Sequence, residues 1–212
     1  MRGTYSPELE RVLKRLKVGD IILVHTRRPL SEWIRRATKS YWSHVALVFD
    51  IPTDGGLGHD HIIIEADDGQ GVQIHRLSTY LNESGKYVLG IKRMKHMTDE
   101  ERERFRGFFL DVVDTPYDTA RLGAFFLLVA VNKLLKRDLT GYFARRKVNP
   151  DRFICTTFAQ RAYYLAVAPE RRREVLFRGH EAETGLLEQM EVIAPRDVAT
   201  SPATEWLYNP HV

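Results

Sequence analysis

Residues 41–49, Tyr41-Trp42-Ser43-His44-Val45-Ala46-Leu47-Val48-Phe49, are an apolar run with one imidazole set inside it, and positions 43–49 read as a strand. Upstream, the turn Gly19-Asp20 leads into Ile21-Ile22-Leu23-Val24, a short apolar run consistent with a buried strand. Between the two, Pro29 and Ser31 open a helix expected over 30–39. Downstream, Thr53-Asp54-Gly55-Gly56-Leu57-Gly58 is turn chemistry and delivers His61-Ile62-Ile63-Ile64-Glu65-Ala66. Asp67-Asp68-Gly69 turns the chain again into Gly71-Val72-Gln73-Ile74-His75, and Tyr87-Val88-Leu89-Gly90-Ile91-Lys92-Arg93 completes a small antiparallel sheet.

Helices flank these strands. Leu9, Val12, Leu13 and Leu16 recur at helical spacing over 7–16, with Gly19 just beyond the end. Thr98 is an N-cap followed by Asp99-Glu100-Glu101, so a helix is expected to about 113. Another opens at Cys155, a polar helical region follows to about 190, and the tail reads as irregular. The class is therefore α+β. With 212 residues, 43% of them hydrophobic, the chain fits a single domain, 1–212, that buries a core without staples.

The formal net charge is +4, but 28% of residues are charged in both signs and no nucleic-acid-binding motif accompanies them, which argues against a nucleic-acid partner. Cys155 is the only cysteine, which excludes an internal disulfide and an all-cysteine metal cluster and points to a reducing compartment. Met1-Arg2-Gly3-Thr4-Tyr5 lacks the apolar core of a secretory signal, so a cytoplasmic location is expected. Residues 122–131 are apolar on every face, yet shorter than the roughly 20 residues a bilayer span takes. A helix apolar all round is normally buried. The competing reading, peripheral contact with an anionic membrane, draws on the basic residues around it, Arg121, Lys133, Lys136, Arg137, Arg145, Arg146 and Lys147. His59-Asp60-His61 with Asp67-Asp68 lacks the four-ligand closure that zinc prefers, so no metal site and no cofactor is assigned.

A helix N-terminus favours a thiolate through its dipole and free N–H groups, and Cys155 stands at one, after the approach Pro150-Asp151-Arg152-Phe153-Ile154. A lone cysteine is more often an inert core residue. His44 adds an imidazole suited to a general base near neutrality, against the alternative of a satisfied core histidine and with seven other histidines competing. Glu65 follows three isoleucines, where a carboxylate is costly to bury unless paired, and an imidazole on an adjacent strand would pair it. A strand-end carboxylate reaching solvent is the competing reading.

The order Gly19-Asp20-Ile21-Ile22-Leu23, Tyr41-Trp42-Ser43-His44-Val45-Ala46-Leu47-Val48, Ile64-Glu65-Ala66, Gly71-Val72, Pro116-Tyr117-Asp118 and Cys155-Thr156-Thr157-Phe158 resembles the YiiX-like permuted branch of the NlpC-type papain-like superfamily, over about residues 18–207. The resemblance implies a circularly permuted papain-like α+β domain, with the histidine strand ahead of the cysteine helix. It implies Cys155 as nucleophile, His44 as base, Glu65 as the acid that orients the imidazole, and Tyr117 as a tyrosine set near the cysteine to meet the substrate carbonyl or oxyanion. Thr156-Thr157 stand where the family commonly has Ser-Glu, and Asp114 where a glycine often precedes the Pro-Tyr element. Residues 118–150, which include the apolar run, read as an insertion.

The function so implied is a cysteine hydrolase that cleaves an N-acyl or peptide amide, with a small-molecule, peptide or lipid-derived acyl substrate. Two alternatives stand beside it. One is a lipid-linked acyltransferase or thioesterase at a membrane surface; the other is a catalytically silent papain-like module that binds such ligands.

Overall fold

A computed structural model describes residues 6–50, 60–67, 70–83, 85–120, 154–178 and 193–211, together with 123, 124, 127 and 190. In chain order the elements are α1 (Pro7–Leu13), β1 (Asp20–Thr26), α2 (Pro29–Thr38), β2 (His44–Asp50), β3 (Ile62–Asp67), β4 (Gly71–Arg76), α3 (Ser78–Leu81), β5 (Tyr87–Met94), α4 (Asp99–Val112), α5 (Cys155–Ala166), a 3₁₀ turn (Pro169–Val175), α6 (Pro195–Thr200) and β6 (Thr204–Tyr208). The strands form one antiparallel sheet in the order β4-β3-β2-β1-β5-β6.

The apolar strands have no solvent face because both sides of the sheet are covered. Ile21, Leu23, Val45, Leu47 and Ile64 pack in one core with α4 and α5, whereas Ile22, Val24, Ala46, Val48 and Ile63 pack in a second core with α1 and α3. Side-chain alternation thus sends successive residues of one strand into different cores. On the first face, α5 buries Phe158, Ala159, Ala162, Tyr163 and Ala166, a helical stripe whose alanines permit close approach to the sheet. Phe105 and Phe109 of α4 lie edge to face at 4.5 Å and meet Tyr163 and Phe158 of α5 at 4.8 and 5.5 Å. Each of these rings contributes about 1.5–3 kcal/mol through burial, which anchors α5 along the sheet.

Polar ties fix where α5 begins and ends. The Tyr163 hydroxyl donates to the Gly19 carbonyl in the turn before β1. Beside that turn the buried Asp20 accepts Nε and Nη2 of Arg93, both at 2.7 Å, and the Lys17 N–H at 2.7 Å. At the other end of the helix Thr156 Oγ1 donates to the Ile193 carbonyl at 2.7 Å.

The expected strands and the helices 7–16, 30–39 and 98–113 are present, with the Thr98–Glu101 capping box formed. The tail expected to be irregular instead carries α6 and the edge strand β6. Most of the apolar run 122–131, the remainder of the 118–150 segment after Ala120 and the stretch from 179 toward 190 lie outside the described residues. Among the described residues no helix is long and apolar enough to cross a membrane.

Candidate active site

β2 begins at His44, at the end of the sheet that α5 reaches with its first residue, Cys155. The Leu47–Ile64 register sets Glu65 of β3 diagonal to His44 on the same sheet face. His44 Nε2 donates to Glu65 Oε2 at 2.7 Å, and the imidazole lines the same cleft as the Cys155 side chain, which acts on it electrostatically. With Nε2–H committed to Glu65, Nδ1 is the nitrogen left for the thiol.

Glu65 is nearly inaccessible and is met from three sides. Besides His44, the Tyr80 hydroxyl of α3 donates to Oε2 at 2.6 Å, and His75 Nε2 of β4 lies 3.7 Å from Oε1. Burial pushes its carboxyl up, but the His44 hydrogen bond and charge, the Tyr80 hydroxyl and His75 together hold it below the usual carboxylate value. His44 moves the other way. Burial pulls its imidazole down, and this is outweighed by the charge of Cys155 and by the charge and hydrogen bond of Glu65, which raise it well above 6.5. Burial first, then Glu65, pushes the Tyr80 phenol up, so it stays a hydroxyl donor.

Cys155 occupies the first turn of α5, where backbone N–H groups have no partner within the helix. Ile154 before it is extended, and its carbonyl accepts the Phe158 N–H at 2.9 Å. The two threonines after the cysteine serve the fold. Thr156 holds the Ile193 carbonyl, and Thr157 Oγ1 accepts the Ile154 N–H at 3.3 Å, which accounts for their tolerance in place of Ser-Glu.

Tyr117 reaches the same place by a loop fastened to β4. The Val72 N–H donates to the Thr115 carbonyl at 2.8 Å and the Asp114 N–H to the Val72 carbonyl at 2.9 Å. Gly71 has φ +85°, and a Cβ there would collide with the Thr115 carbonyl oxygen. Asp114 has φ +65°, a left-handed conformation that aspartate tolerates better than most residues, which explains how it replaces a glycine. Cys155, His44, Glu65 and Tyr117 all line one cleft of about 360 Å³, walled by Leu30 and Ile34 of α2 and by Tyr80 and Tyr87. A small apolar recess of about 30 Å³ continues past Cys155, between Ile34, Ile154, Ile193 and Pro195.

The four residues singled out from sequence therefore converge. Tyr80 and His75 were not foreseen, since neither sits in a pattern that distinguishes it from an ordinary surface residue. Of the ligand-like cluster, Asp60 binds Arg76 and Ser78 and His61 Nε2 bonds the Leu13 carbonyl at 2.8 Å, while His59 and Asp68 lie outside the described residues. Among the described residues no group of three histidine, cysteine or acidic side chains could hold a metal ion.

The profile of the permuted papain-like amidase enzymes, the YaeF/YiiX family, matches residues 15–122. The chain belongs to this family. Its members are papain-like hydrolases, and the matched stretch contains His44, Glu65 and Tyr117, with Cys155 following in the permuted order. Among solved structures the chain is similar to the metalloprotein yiiX of Escherichia coli, with a TM-score of 0.55 and 18% identity over 90% of this chain and 95% of that one. That likeness carries the permuted papain-like fold beyond residue 122, through α5 to the end of the sheet. No curated protein matches the sequence.

Proposed function

We propose that the chain cleaves an N-acyl amide through a thioester on Cys155, with His44 as base and Glu65 as its orienting acid. The observation that carries this reading is the position of His44, hydrogen-bonded to Glu65 at 2.7 Å and sharing one cleft with Cys155, whose charge acts on the imidazole. His44 Nδ1 takes the Sγ proton, and the thiolate attacks the carbonyl carbon. The oxyanion that forms lies toward the Cys155 backbone N–H, with the Tyr117 hydroxyl in the same cleft as a second donor. His44 then protonates the leaving nitrogen as the C–N bond breaks. A water that gives its proton to His44 hydrolyses the thioester, releasing the carboxylic acid and restoring the thiol. The apolar wall of Leu30, Ile34 and Val24 suits the acyl side of the substrate.

The test is acid quench and intact-mass analysis during turnover of a panel of N-acyl anilides. An acyl adduct that maps to Cys155, and that vanishes in Cys155→Ala and His44→Ala, is the expected result. Amide hydrolysis that survives Cys155→Ala would sink the proposal.

A further inference from the structure

α2 is amphipathic, and its apolar side is only partly covered. None of its residues is fully buried. Leu30, Trp33, Ile34 and Ala37 recur at helical spacing on one face, while the opposite side turns polar groups inward: Arg35 Nη1 contacts the His25 ring at 2.8 Å. Trp33, at the outer edge of the apolar face, is 68% exposed. Leu30 and Ile34 of the same face form the mouth of the cleft that holds Cys155. A large apolar side chain held in water beside an active-site opening has no stabilising role in the isolated protein, and such surfaces mark binding faces.

The charge around it names the partner. The chain has 32 basic and 28 acidic residues, and the stretch 27–39 holds five of the basic ones (Arg27, Arg28, Arg35, Arg36, Lys39) and one acidic one, Glu32. That is a net +4 within this one short stretch beside the cleft mouth. Arg27, Arg28, Arg36 and Lys39 are exposed. An exposed tryptophan at the edge of an apolar stripe, bordered by cations, matches the boundary of an anionic bilayer, where the ring enters the headgroup region and the cations face lipid phosphates.

We infer that α2 docks the protein on an anionic lipid surface, with Trp33 inserted and the cleft mouth turned to the headgroups. Docking in this pose presents Cys155 to acyl amides embedded in the membrane, a substrate class that rests on the amidase reading above, whereas the docking itself does not.

Co-sedimentation with phosphatidylcholine vesicles, with and without phosphatidylglycerol, tests it. Wild type and Cys155→Ala are expected to bind the phosphatidylglycerol vesicles equally, and both to be released by salt. Removing three cations in Arg27→Ala/Arg36→Ala/Lys39→Ala should weaken binding roughly a hundredfold, and Trp33→Ala about tenfold. Trp33→Phe should retain most of the binding, which excludes misfolding as the cause, and the Trp33 and triple-cation variants should hydrolyse a water-soluble amide as wild type does. No binding to phosphatidylglycerol vesicles at low salt, or binding that the α2 variants leave unchanged, would overturn the inference. Wild type that acylates Cys155 but does not bind the vesicles refutes docking alone, and wild type that binds the vesicles but forms no Cys155 adduct refutes the amidase reading alone.

Discussion

Glu65 sets the behaviour of the imidazole beside it. Its carboxylate is one of the causes that raise His44, so Glu65→Gln should bring the His44 pKa down toward the ordinary imidazole value. A two-dimensional NMR titration of His44 checks this directly, and an unchanged midpoint would refute it. Tyr80 acts one step further out. In Tyr80→Phe the carboxylate loses its 2.6 Å donor, which should cost about 2 kcal/mol of stability near neutral pH. Because the folded Glu65 pKa lies below 4.5, its contribution is present above that value and lost as pH falls through the folded pKa. The difference between wild type and Tyr80→Phe in urea unfolding should therefore shrink in acid; a gap that grows in acid would contradict the pairing. His44, Glu65 and Cys155 stood out as residue types out of place in an apolar or helix-opening context, but that context left the ordinary structural readings open and the family resemblance assigned their roles. Tyr80 was not, since an aromatic on a short surface helix carries no signature until the fold brings it to Glu65.

The elements divide by what they bury. β1, β2 and β3 are legible as strands because both their faces are covered, and the sequence stays apolar throughout. β6 was missed because it is an edge strand: Glu205 and Trp206 face solvent, and only β5 pairs with it. α6, with six residues, is too short to show a period. The loop from α4 to Tyr117 works as an element in its own right, held by Gly71. Gly71→Ala, with its collision against Thr115 and a φ that alanine resists, should cost about 1–3 kcal/mol and also slow acylation of Cys155 by displacing Tyr117. Thr98→Ala provides the contrast. Loss of its cap should cost about 1 kcal/mol and leave acylation unchanged, since α4 is anchored away from the cleft by Phe105 and Phe109. Equal effects of both variants on acylation would show that Gly71 acts only through global stability.

At the scale of the whole molecule, Lys92 links the sheet to its last two elements. Its ammonium, beneath the Trp206 ring, donates to the Val198 and Ala199 carbonyls at 3.1 and 2.6 Å. Burial, and secondarily Lys95, lowers its pKa from 10.5 to about 8. Between those values the unfolded chain keeps a proton that the folded one has released, so this residue's contribution makes folding more favourable as pH rises. The stability of wild type relative to Lys92→Met should accordingly increase from pH 8 to 10, and a flat or falling difference in denaturant midpoints would refute it. The permuted order of the chain has a consequence during synthesis. Strands carrying His44 and Glu65 leave the ribosome first, and at about 5–20 residues per second Cys155 follows seconds later. A nascent chain thus displays a finished cradle before it possesses a thiol, and any product that stops short of Cys155 is chemically silent, with no reactive sulfur left exposed to the cell.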